Sequence, residues 1–454
     1  MTDATDRLLD ELGLGHVDVS TPGPEHVLPS PFRVTDVATA SIAGATAAIA
    51  DLGARRTGSS APSVEVDRRH AAIAFRSERH VRVDGEAPTL WDPIAGHYPT
   101  AGGRWVQLHT NFPHHLHGVL GYLGVEADRA AVAEAIARHD AFELEAELTE
   151  RGMICAAMRS LDEWAAHPHA AVTAGLPLVE IERIDGAHAA PPGEHDRPTG
   201  GLRVLDLTRI VAGPVATRTL AAHGAEVLRV ASPGRPTVAA LLPDTTAGKR
   251  AAHVDLDGPG GRGVLERLVA GADVIVQSYR PGSLHRRGFG PAECARLRPG
   301  IVHVSVSAYG DEGPWGGRRG FDSICQTATG LAHEGGRAAG LAGPRPLPCQ
   351  ALDHATGFLA AAGAAIALRR RLDEGGSWAV RVALIRTRNW LVGLGLDGTL
   401  EPPEPDQTAI GDLLEEVDSA FGSLTRVRPP GTIGGRAPSW TLPPTPDGAH
   451  PPRW

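Results

Sequence analysis

Residues Gly201–Val230 read GLRVLDLTRIVAGPVATRTLAAHGAEVLRV, and their pattern decides the expected fold class. The short apolar run Leu202–Leu207 predicts a strand, Pro214–His223 predicts a helix, and Glu226–Ala231 predicts a second strand. A strand, a helix and a strand in this order form a βαβ unit, in which the two strands lie parallel in one sheet. Such a sheet places its ligand site at the carboxyl ends of the strands.

The alternation of strands and helices continues towards the C-terminus. Gly260–Ala270 is typical of a helix, and Asp273–Gln277 and Ile301–Ser307 are typical of strands. These segments predict an α/β fold with an open, mainly parallel sheet. On the N-terminal side, Tyr98–Ile184 combines a strand pattern with amphipathic helices, which predicts a smaller α+β domain.

Segments rich in proline and glycine divide the chain. Ala189–Gly201 reads AAPPGEHDRPTGG and predicts a linker. A second such segment begins near Leu400 and predicts an extended C-terminal tail, in which a helix is expected at Asp406–Phe421. We therefore expect three regions: residues 1–197, residues 198–398 and residues 399–454.

The chain contains an internal repeat. Pro31–Ala50 reads PFRVTDVATASIAGATAAIA, and Pro348–Ala367 reads PCQALDHATGFLAAAGAAIA. The two align without a gap, with Asp36 opposite Asp353, and a predicted strand follows each copy after a short loop. Chance similarity between two alanine-rich helices is the alternative, but the matched proline and aspartate favour duplication.

The composition limits the classes of protein to which the chain can belong. Its 454 residues are more than one domain usually holds, and 42% hydrophobic residues suffice for buried cores. The net charge of −9 gives no electrostatic case for binding nucleic acid. The acidic N-terminus lacks the pattern of a signal peptide, and no apolar run reaches the ~18–20 residues that a membrane span needs. We therefore expect a cytoplasmic protein with no membrane partner.

Four segments of the second half resemble class III CoA-transferases in their order and spacing. These segments are Gly201–Val230, Gly248–Leu268, Ala272–Gly290 and Ile301–Leu331. The family includes formyl-CoA transferase, carnitine CoA-transferase and α-methylacyl-CoA racemase, and the resemblance extends over roughly Gly201–Leu394. The first half resembles the other end of the same family, so the order of the chain is permuted and partly duplicated.

The resemblance implies both a fold and a reaction. The fold would be a Rossmann-like, CoA-binding sheet with a smaller α+β domain, in chains that pair as interlocked homodimers. The reaction would move coenzyme A from an acyl-CoA to a carboxylate acceptor, with the CoA thioester as substrate and no permanently bound cofactor. The alternatives are a 2-methylacyl-CoA racemase or isomerase and a non-catalytic CoA-binding homologue.

The resemblance places the catalytic aspartate at Asp353, just before a helix rich in small residues. There it would attack the thioester, form a mixed anhydride and then hold CoA as an enzyme thioester. From the residues alone, an aspartate at this position is equally a good helix N-cap. The two roles are compatible, because the helix dipole holds a carboxylate ionised at a helix N-terminus. For Asp36, the counterpart in the first copy, we expect a structural cap.

Asp322 is the second candidate catalytic residue. In the racemases of the family, a histidine directly before this aspartate forms a two-base pair with the aspartate at the position of Asp353. Here that residue is Phe321, whose ring cannot accept a proton. The sequence therefore favours acyl transfer over proton exchange. The alternative is that Asp322 only hydrogen-bonds a loop.

Binding of CoA requires cations for its phosphates and a flat surface for its adenine. The resemblance indicates eight positions: Val211, Ala212, Lys249, Arg250, Tyr279, Arg280, Arg286 and Arg287. Arginine forks suit the phosphates and the Tyr279 ring suits the adenine, although each cation taken alone is typical of a solvated surface. The glycine-rich run that closes over the site in the family would fall near Asp84–Gly96, which is not rich in glycine.

The sequence lacks the motifs of several other enzyme classes. No GxGxxG follows the first strand, and there is no GxxxxGK[ST] loop and no HExxH. The histidines of HTNFPHHLHG, residues 109–118, form a cluster that could bind a metal. A polar loop before a helix explains them better, so we expect no metal site.

Overall fold

The centre of the structure is a seven-stranded sheet. The computed structural model describes residues 3–187, 193, 195–235, 237–396 and 398–454. The strands of the large sheet are, in chain order, β1 (Glu180–Arg183), β2 (Arg203–Leu207), β3 (Glu226–Ala231), β4 (Lys249–His253), β5 (Val274–Gln277), β6 (Val302–Ser307) and β7 (Trp378–Ala383). Their order across the sheet is β4-β3-β2-β5-β6-β7-β1, and only the edge strand β1 runs antiparallel to its neighbour. The predicted α/β class with a mainly parallel sheet is confirmed.

The stretch 201–230 forms the expected βαβ unit, with the helix Ala212–Ala222 between β2 and β3. The strands at the centre of the sheet are buried on both faces. Val274 and Val276 of β5 belong to one hydrophobic core, and Ile275 belongs to a second core on the other face. Continuous apolar runs are typical of parallel strands that are covered on both sides.

The helices α1 (Val34–Thr57) and α2 (Ala351–Glu374) confirm the internal repeat. Each has 24 residues, and the two begin and end at positions that align in the gapless register. They pack against each other in the main core, and a strand follows each of them: Val64–Glu65 after α1 and β7 after α2.

The expected N-cap role of Asp36 and Asp353 is wrong, because each helix begins two residues before its aspartate. Arg33 and Gln350 hold the cap positions, and neither makes a side-chain cap bond. Each aspartate is therefore the third residue of its helix. A carboxylate in the first turn still interacts favourably with the helix dipole.

A smaller antiparallel sheet lies in the first half of the chain. Its strands are Gly96–Pro99, Trp105–Leu108 and Cys155–Ala157. The helices Pro113–Leu123, Arg129–Ile136 and Ala141–Glu150 enclose a separate core with it. The next strand, β1, joins the large sheet, so the chain passes from the small sheet into the large one before the predicted linker. Residues 189–192 and 194 of that linker lie outside the described residues.

The last part of the chain adds strands to the first half. The hairpin Leu414–Ser419 and Gly422–Val427 pairs with Arg82–Val83, and Thr432–Ile433 pairs with Val64–Glu65. The expected helix at 406–421 is therefore wrong. Residues 416–419 alternate between exposed and half-buried, as in a strand, and Gly422 has a φ of 119° where the hairpin turns. The proposed region boundaries remain predictions.

Shorter elements connect these units. The remaining α-helices are Ala4–Glu11, Arg68–Ala74, Ser77–His80, Leu161–Ala165, Pro168–Thr173, Leu242–Thr245, Gly261–Ala270, Ser283–Arg286, Pro291–Leu297, Asp322–Ala328, Leu331–Ala338 and Leu384–Gly393. Single 3-10 turns lie at Ala101–Gly103, Ala239–Leu241 and Gly411–Leu413, and Val19–Ser20 is a two-residue strand paired with Val64–Glu65.

Helices α1 and α2 are long and apolar enough to cross a membrane by length and composition, contrary to the expectation that no such stretch exists. In their most apolar windows, 94% and 100% of the residues are buried inside the protein. The two helices have this composition because they form the centre of the core, where small apolar side chains allow close packing.

Candidate functional site

A cleft of about 840 Å³ opens at the carboxyl ends of the parallel strands. The loops that follow β2, β3, β5 and β6 each contribute lining residues, and the start of the helix Pro113–Leu123 contributes others from the small α+β unit. This is the edge at which open parallel sheets bind ligands, because the loops there diverge and leave a crevice. The cleft is therefore the candidate functional site.

The loop after β2 has a constrained backbone. Ile210 has a φ of 75°, in the left-handed region, where a β-branched residue costs of order 1–3 kcal/mol. The conformation directs Val211 and Ala212 to the wall of the cleft, where the helix Ala212–Ala222 begins. Strain of this kind is typical of functional turns.

Five of the eight residues suggested for CoA binding line the cleft: Val211, Ala212, Tyr279, Arg280 and Arg287. Tyr279 and Arg280 follow β5. The backbone N–H of Tyr279 donates a hydrogen bond to Gln277 Oε1, in the last residue of that strand, at 2.8 Å. This bond holds the loop in position at the end of its strand. The structure thus brings these five positions to one surface.

The other three suggested residues do not line the cleft. Lys249 is buried, and its Nζ donates to Asp206 Oδ2 at 2.9 Å and to the Pro214 carbonyl at 3.1 Å. Arg250 donates to Glu226 Oε1 at 2.6 Å. Arg286 lies at the end of the short helix Ser283–Arg286. Their role in CoA binding remains a prediction, and the contacts of Lys249 and Arg250 do not support it.

Cations that the sequence analysis missed also line the cleft. Together with Arg280 and Arg287 they make six arginines: Arg209, Arg235, Arg280, Arg287, Arg318 and Arg319. Arg287 pairs with Asp257 and Arg318 pairs with Glu145. Six guanidinium groups against two lining carboxylates, Asp257 and Asp353, still give the cleft a local positive potential in a chain with a net charge of −9. Guanidinium groups bind phosphates through paired hydrogen bonds, so the cleft suits a ligand with several phosphates.

Asp353 lines the cleft from the first turn of α2. Its side chain is buried, and burial together with Asp322 and Glu78 raises the pKa of Asp353 well above the ordinary value. A hydrogen bond from the Ala212 backbone acts in the opposite direction. The result is a carboxylate of unusually high basicity.

Asp322 lies directly beside Asp353. Its Oδ2 accepts the backbone N–H of Asp353 at 2.8 Å, and its Oδ1 accepts from the Gln326 amide. Burial raises the pKa of Asp322 to about 6, although the hydrogen bonds from Asp353 and Gln326 lower it. Asp322 therefore does more than hydrogen-bond a loop. It accepts a hydrogen bond from the first turn of α2, and its charge raises the pKa of Asp353.

Glu78 and His354 form a buried pair next to these aspartates, and the sequence analysis missed both. Glu78 Oε2 lies 3.0 Å from His354 Nε2. Burial would raise the pKa of Glu78, but the charge and hydrogen bond of His354 outweigh it and lower the pKa. The charged run Arg76–Arg79 directly after the helix Arg68–Ala74 was the signal available in the sequence.

A small chamber of about 40 Å³ is also lined by Asp353. It shares Asp353, Phe321, Val211 and Ile210 with the cleft, so the two spaces adjoin along these residues. Its remaining lining residues are Glu78, Arg79, Leu90, Trp91, His109, Asn111, Val238, Leu241, Asp322, Ser323 and Gln350. Leu90 and Trp91 come from the segment 84–96, which was expected to hold a closing loop.

Phe321 packs in the chamber wall against His109. The two rings are nearly parallel, and their centroids are 3.9 Å apart. Burial lowers the pKa of His109 to about 4, so its imidazole is neutral at pH 7. His114 and His115 lie in the first turn of the helix Pro113–Leu123 and line the cleft. Within the described part of the chain, no three histidine, cysteine or acidic side chains are arranged to hold a metal ion.

Asp36, the counterpart of Asp353, has different neighbours. It is also buried, but its carboxylate forms ion pairs with Arg33 and Arg68. Neither the cleft nor the chamber is lined by Asp36. Of the two equivalent aspartates, only Asp353 faces a ligand-sized space within the described residues.

Known proteins share this part of the chain. The sequence model of CoA-transferase family III matches residues 200–406. The acetyl-coenzyme A transferase nodX of Hypoxylon pulicicidum is 33% identical over 322 residues, which are 66% of this chain and 54% of that protein. An acyl-CoA transferase of Gibberella moniliformis is 31% identical over 359 residues, 69% of this chain and 63% of that protein.

A solved structure, that of Rv3272 from Mycobacterium tuberculosis in its orthorhombic form, is 33% identical, with a TM-score of 0.38. The matched region covers 44% of this chain and 55% of the Rv3272 chain. The chain thus spans somewhat more than half the length of these relatives. The match of the family model to residues 200–406 agrees with the resemblance of the sequence segments between residues 201 and 394. Residues 200–406 of this chain form a CoA-transferase family III domain.

Proposed function

We propose that the protein is an acyl-CoA:carboxylate CoA-transferase in which Asp353 is the nucleophile. The observation that carries this proposal is the position of Asp353, which lines both the arginine-lined cleft and the small chamber beside it. A thioester whose CoA part occupies the cleft and whose acyl part occupies the chamber would have its carbonyl beside this carboxylate. Proximity of this kind is a large part of catalytic rate enhancement.

The reaction would proceed through two covalent intermediates. The Asp353 carboxylate attacks the thioester carbonyl, the C–S bond breaks, and CoA leaves as a thiolate from a mixed aspartyl anhydride. The thiolate then attacks the aspartyl carbonyl, which releases the first carboxylate and forms an aspartyl-CoA thioester. An acceptor carboxylate reverses both steps and regenerates Asp353. No proton is consumed overall, so the site needs no strong general acid.

The surroundings of Asp353 support a nucleophilic role. Its raised pKa makes the ionised carboxylate more nucleophilic than an exposed one. The Ala212 N–H that bonds to the carboxyl group is a donor for the negative charge of the tetrahedral intermediate. Asp322 would position the first turn of α2 through the Asp353 N–H.

The cleft arginines would hold the phosphates of CoA, and Tyr279 would stack on the adenine. The six parallel strands from β2 to β7 would form a Rossmann-like CoA-binding sheet, a reading supported by their order of 3-2-1-4-5-6 counted from β2. We also propose a cytoplasmic homodimer. CoA would enter as a thioester substrate and leave as a new thioester.

Trapping with hydroxylamine tests the proposal. The protein is incubated with a panel of acyl-CoA thioesters and hydroxylamine, and peptide mass spectrometry then locates any modification. We expect a hydroxamate on Asp353 and none on Asp36, the matched control. Deuterium wash-in at the acyl α-carbon without label on Asp353 would instead support a racemase. CoA binding with neither result would support a non-catalytic homologue.

A further inference from the structure

A buried ion pair lies next to the loop that contains the strained Ile210. The side chains of Asp206, in β2, and Lys249, in β4, have no solvent exposure, and Lys249 Nζ lies 2.9 Å from Asp206 Oδ2. Burial lowers the pKa of Lys249 to about 8, against the charge of Asp206, so the ammonium group is still protonated at pH 7. The cost of removing two charges from water offsets most of their attraction, so stability alone is a weak explanation of this pair.

The Asp206 carboxylate accepts four hydrogen bonds in total. Its Oδ1 accepts the backbone N–H of Thr208 at 2.9 Å and the Thr208 hydroxyl at 2.5 Å. Its Oδ2 accepts the Thr217 hydroxyl at 2.7 Å as well as the ammonium of Lys249. The Asp206 network is formed by the side chains of Asp206, Thr208, Thr217 and Lys249. It joins the first residue of the loop to the helix that follows the loop.

The segment between these two anchors forms part of the cleft wall. Residues 209–213 all line the cleft, whereas the four buried side chains of the Asp206 network do not. The backbone at Gly213 runs so close to Thr208 that a Cβ there would lie 2.3 Å from Thr208 Cβ. Thr208 and the first turn of the helix therefore fix each other, and the strained residue Ile210 is held between them.

The end of the same loop contacts Asp353. The Ala212 N–H bonds to the Asp353 carboxyl group. One turn further along α2, a Cβ at Gly357 would lie 2.5 Å from the Ala212 carbonyl oxygen, so the helix start packs directly on α2. Hydrogen bonds weaken steeply as their angle departs from linear, so a small displacement of the loop would weaken the bond between Ala212 and Asp353.

We propose that the Asp206 network is a positioning device that keeps the Ala212 N–H directed at the Asp353 carboxyl group. The inference rests on the proposed CoA-transferase function. When the CoA thiolate attacks the aspartyl carbonyl, negative charge develops on an Asp353 oxygen, and the Ala212 N–H stabilises it. Lys249 thus acts through Asp206 and the loop, and not as a ligand of the CoA phosphates.

The test uses threonine-to-valine changes, which remove a hydroxyl group and nearly preserve the shape of the side chain. Thr208→Val and Thr217→Val each remove a bond to Asp206. Thr219→Val is the matched control, because the Thr219 hydroxyl bonds to the Val215 carbonyl of its own helix at 2.7 Å and does not line the cleft. Thr208→Ser retains the hydroxyl and tests for rescue.

Two measurements separate positioning from binding. Hydroxylamine with acetyl-, propionyl- or succinyl-CoA gives the maximal rate at which Asp353 is labelled and the half-saturating thioester concentration. Isothermal titration calorimetry with CoA alone gives its Kd. A loop that misdirects the Ala212 N–H should lower the maximal labelling rate and leave the Kd unchanged.

Thr208→Val should lower the maximal labelling rate by about tenfold, and Thr217→Val by about threefold to tenfold, since a displaced donor loses part of its effect. The Kd for CoA should stay within about twofold, and Thr208→Ser and Thr219→Val should label at about the wild-type rate. The acid limb of labelling should move to higher pH in Thr208→Val. The reason is that the Ala212 bond favours the ionised carboxylate, against burial and the charges of Asp322 and Glu78.

Lys249→Met distinguishes the two roles of the cation. Positioning predicts about 10- to 100-fold slower labelling with a Kd for CoA within about threefold, whereas phosphate binding predicts a Kd raised by about tenfold or more. Circular dichroism checks the fold of this variant, because it leaves a buried carboxylate unpaired. The valine variants decide the matter if it does not fold.

Three results would overturn the inference. These are an unchanged labelling rate in Thr208→Val, an equal loss in Thr219→Val, and a Lys249→Met protein that binds CoA weakly but labels at the full rate. If the wild type is labelled at Asp353 in these cases, the proposed function stands and only the role of the Asp206 network is wrong. A wild type that none of the three thioesters labels would overturn both the proposed function and the inference.

Discussion

The first turns of α1 and α2 align residue for residue, yet their aspartates have opposite electrostatic surroundings. Asp36 is held between two arginines, Arg33 and Arg68. In the gapless register Arg33 corresponds to Gln350 in the second copy, and Asp353 instead faces Asp322 and Glu78. The same helix start therefore stabilises an ion pair in one copy and exposes a basic carboxylate to a cleft in the other.

This difference shows that the helix start alone does not make a nucleophile. Both carboxylates are buried and both lie in the positive end of a helix dipole. The loss of two arginines and the gain of two acidic neighbours distinguish them. Changes that exchange these features should move activity and stability in predictable directions.

The largest expected effect is the loss of transfer activity in Asp353→Asn. Without its nucleophile the enzyme should lose about 10⁴-fold or more in kcat, because both covalent intermediates need the carboxylate. Asp36→Asn should stay within about threefold of the wild type. Initial rates with acetyl-CoA and succinate measure both variants. Full activity in Asp353→Asn would contradict the assignment of the nucleophile.

The second prediction concerns stability and has opposite signs for the two aspartates. Asp36→Ala leaves Arg33 and Arg68 without their partner, which should destabilise the protein by about 3–5 kcal/mol. Asp353→Ala removes a buried carboxylate whose neighbours are acidic, so it should leave stability unchanged or raise it by about 1–2 kcal/mol. Urea unfolding curves measure the difference. Similar destabilisation in both variants would mean that the electrostatic contrast is absent.

The third prediction transfers an arginine from one copy to the other. Gln350→Arg recreates, three residues before Asp353, the pair that Arg33 forms with Asp36. The new cation should lower the pKa and the nucleophilicity of Asp353 and reduce kcat by about 10- to 100-fold. Steady-state kinetics measure the loss, and Gln350→Met, which adds no charge, is the control. An equal loss of kcat in the control would indicate steric obstruction of the chamber instead of an electrostatic effect on Asp353.

The smallest expected effect is a shift of the pH profile. The reaction needs ionised Asp353, whose pKa is raised, so kcat/KM should fall as the pH drops through a range above that of an ordinary carboxyl group. Asp322→Asn removes one of the charges that raise this pKa. Its acid limb should therefore move to lower pH, with a change of about threefold to tenfold in rate on that limb. A limb that does not move would show that Asp322 acts only through its hydrogen bonds.

Local patterns were sufficient for much of the fold. Continuous apolar runs and the alternation of strands with helices predicted the parallel sheet, because residues close together in sequence indicate each helix or strand. The gapless repeat likewise predicted two matched helices. The C-terminal hairpin escaped prediction because its strand Gly422–Val427 is paired by Arg82–Val83, more than 300 residues away in sequence.

The candidate site was predicted mainly through the family resemblance, which indicated Asp353, Asp322, Tyr279 and Arg280. The last two also come directly after a strand, at the edge where parallel sheets bind ligands. Glu78 and Arg79 were missed because they line the chamber beside Asp353 but come from a segment about 275 residues earlier in the chain. No local sequence pattern indicates that these segments lie together in the fold. The family resemblance indicated Lys249, but its side chain is buried against Asp206.

The sequence by itself determined the parallel sheet, the repeated helix and the position of Asp353 in a family III segment. Only the tertiary structure decided that Asp353, and not Asp36, faces a ligand space. The physical reason is that the reactivity of a carboxylate depends on burial and on the charges within a few ångströms. For Asp353 and Asp36 those charges come from residues far away in sequence as well as from neighbouring positions, and folding alone brings them together.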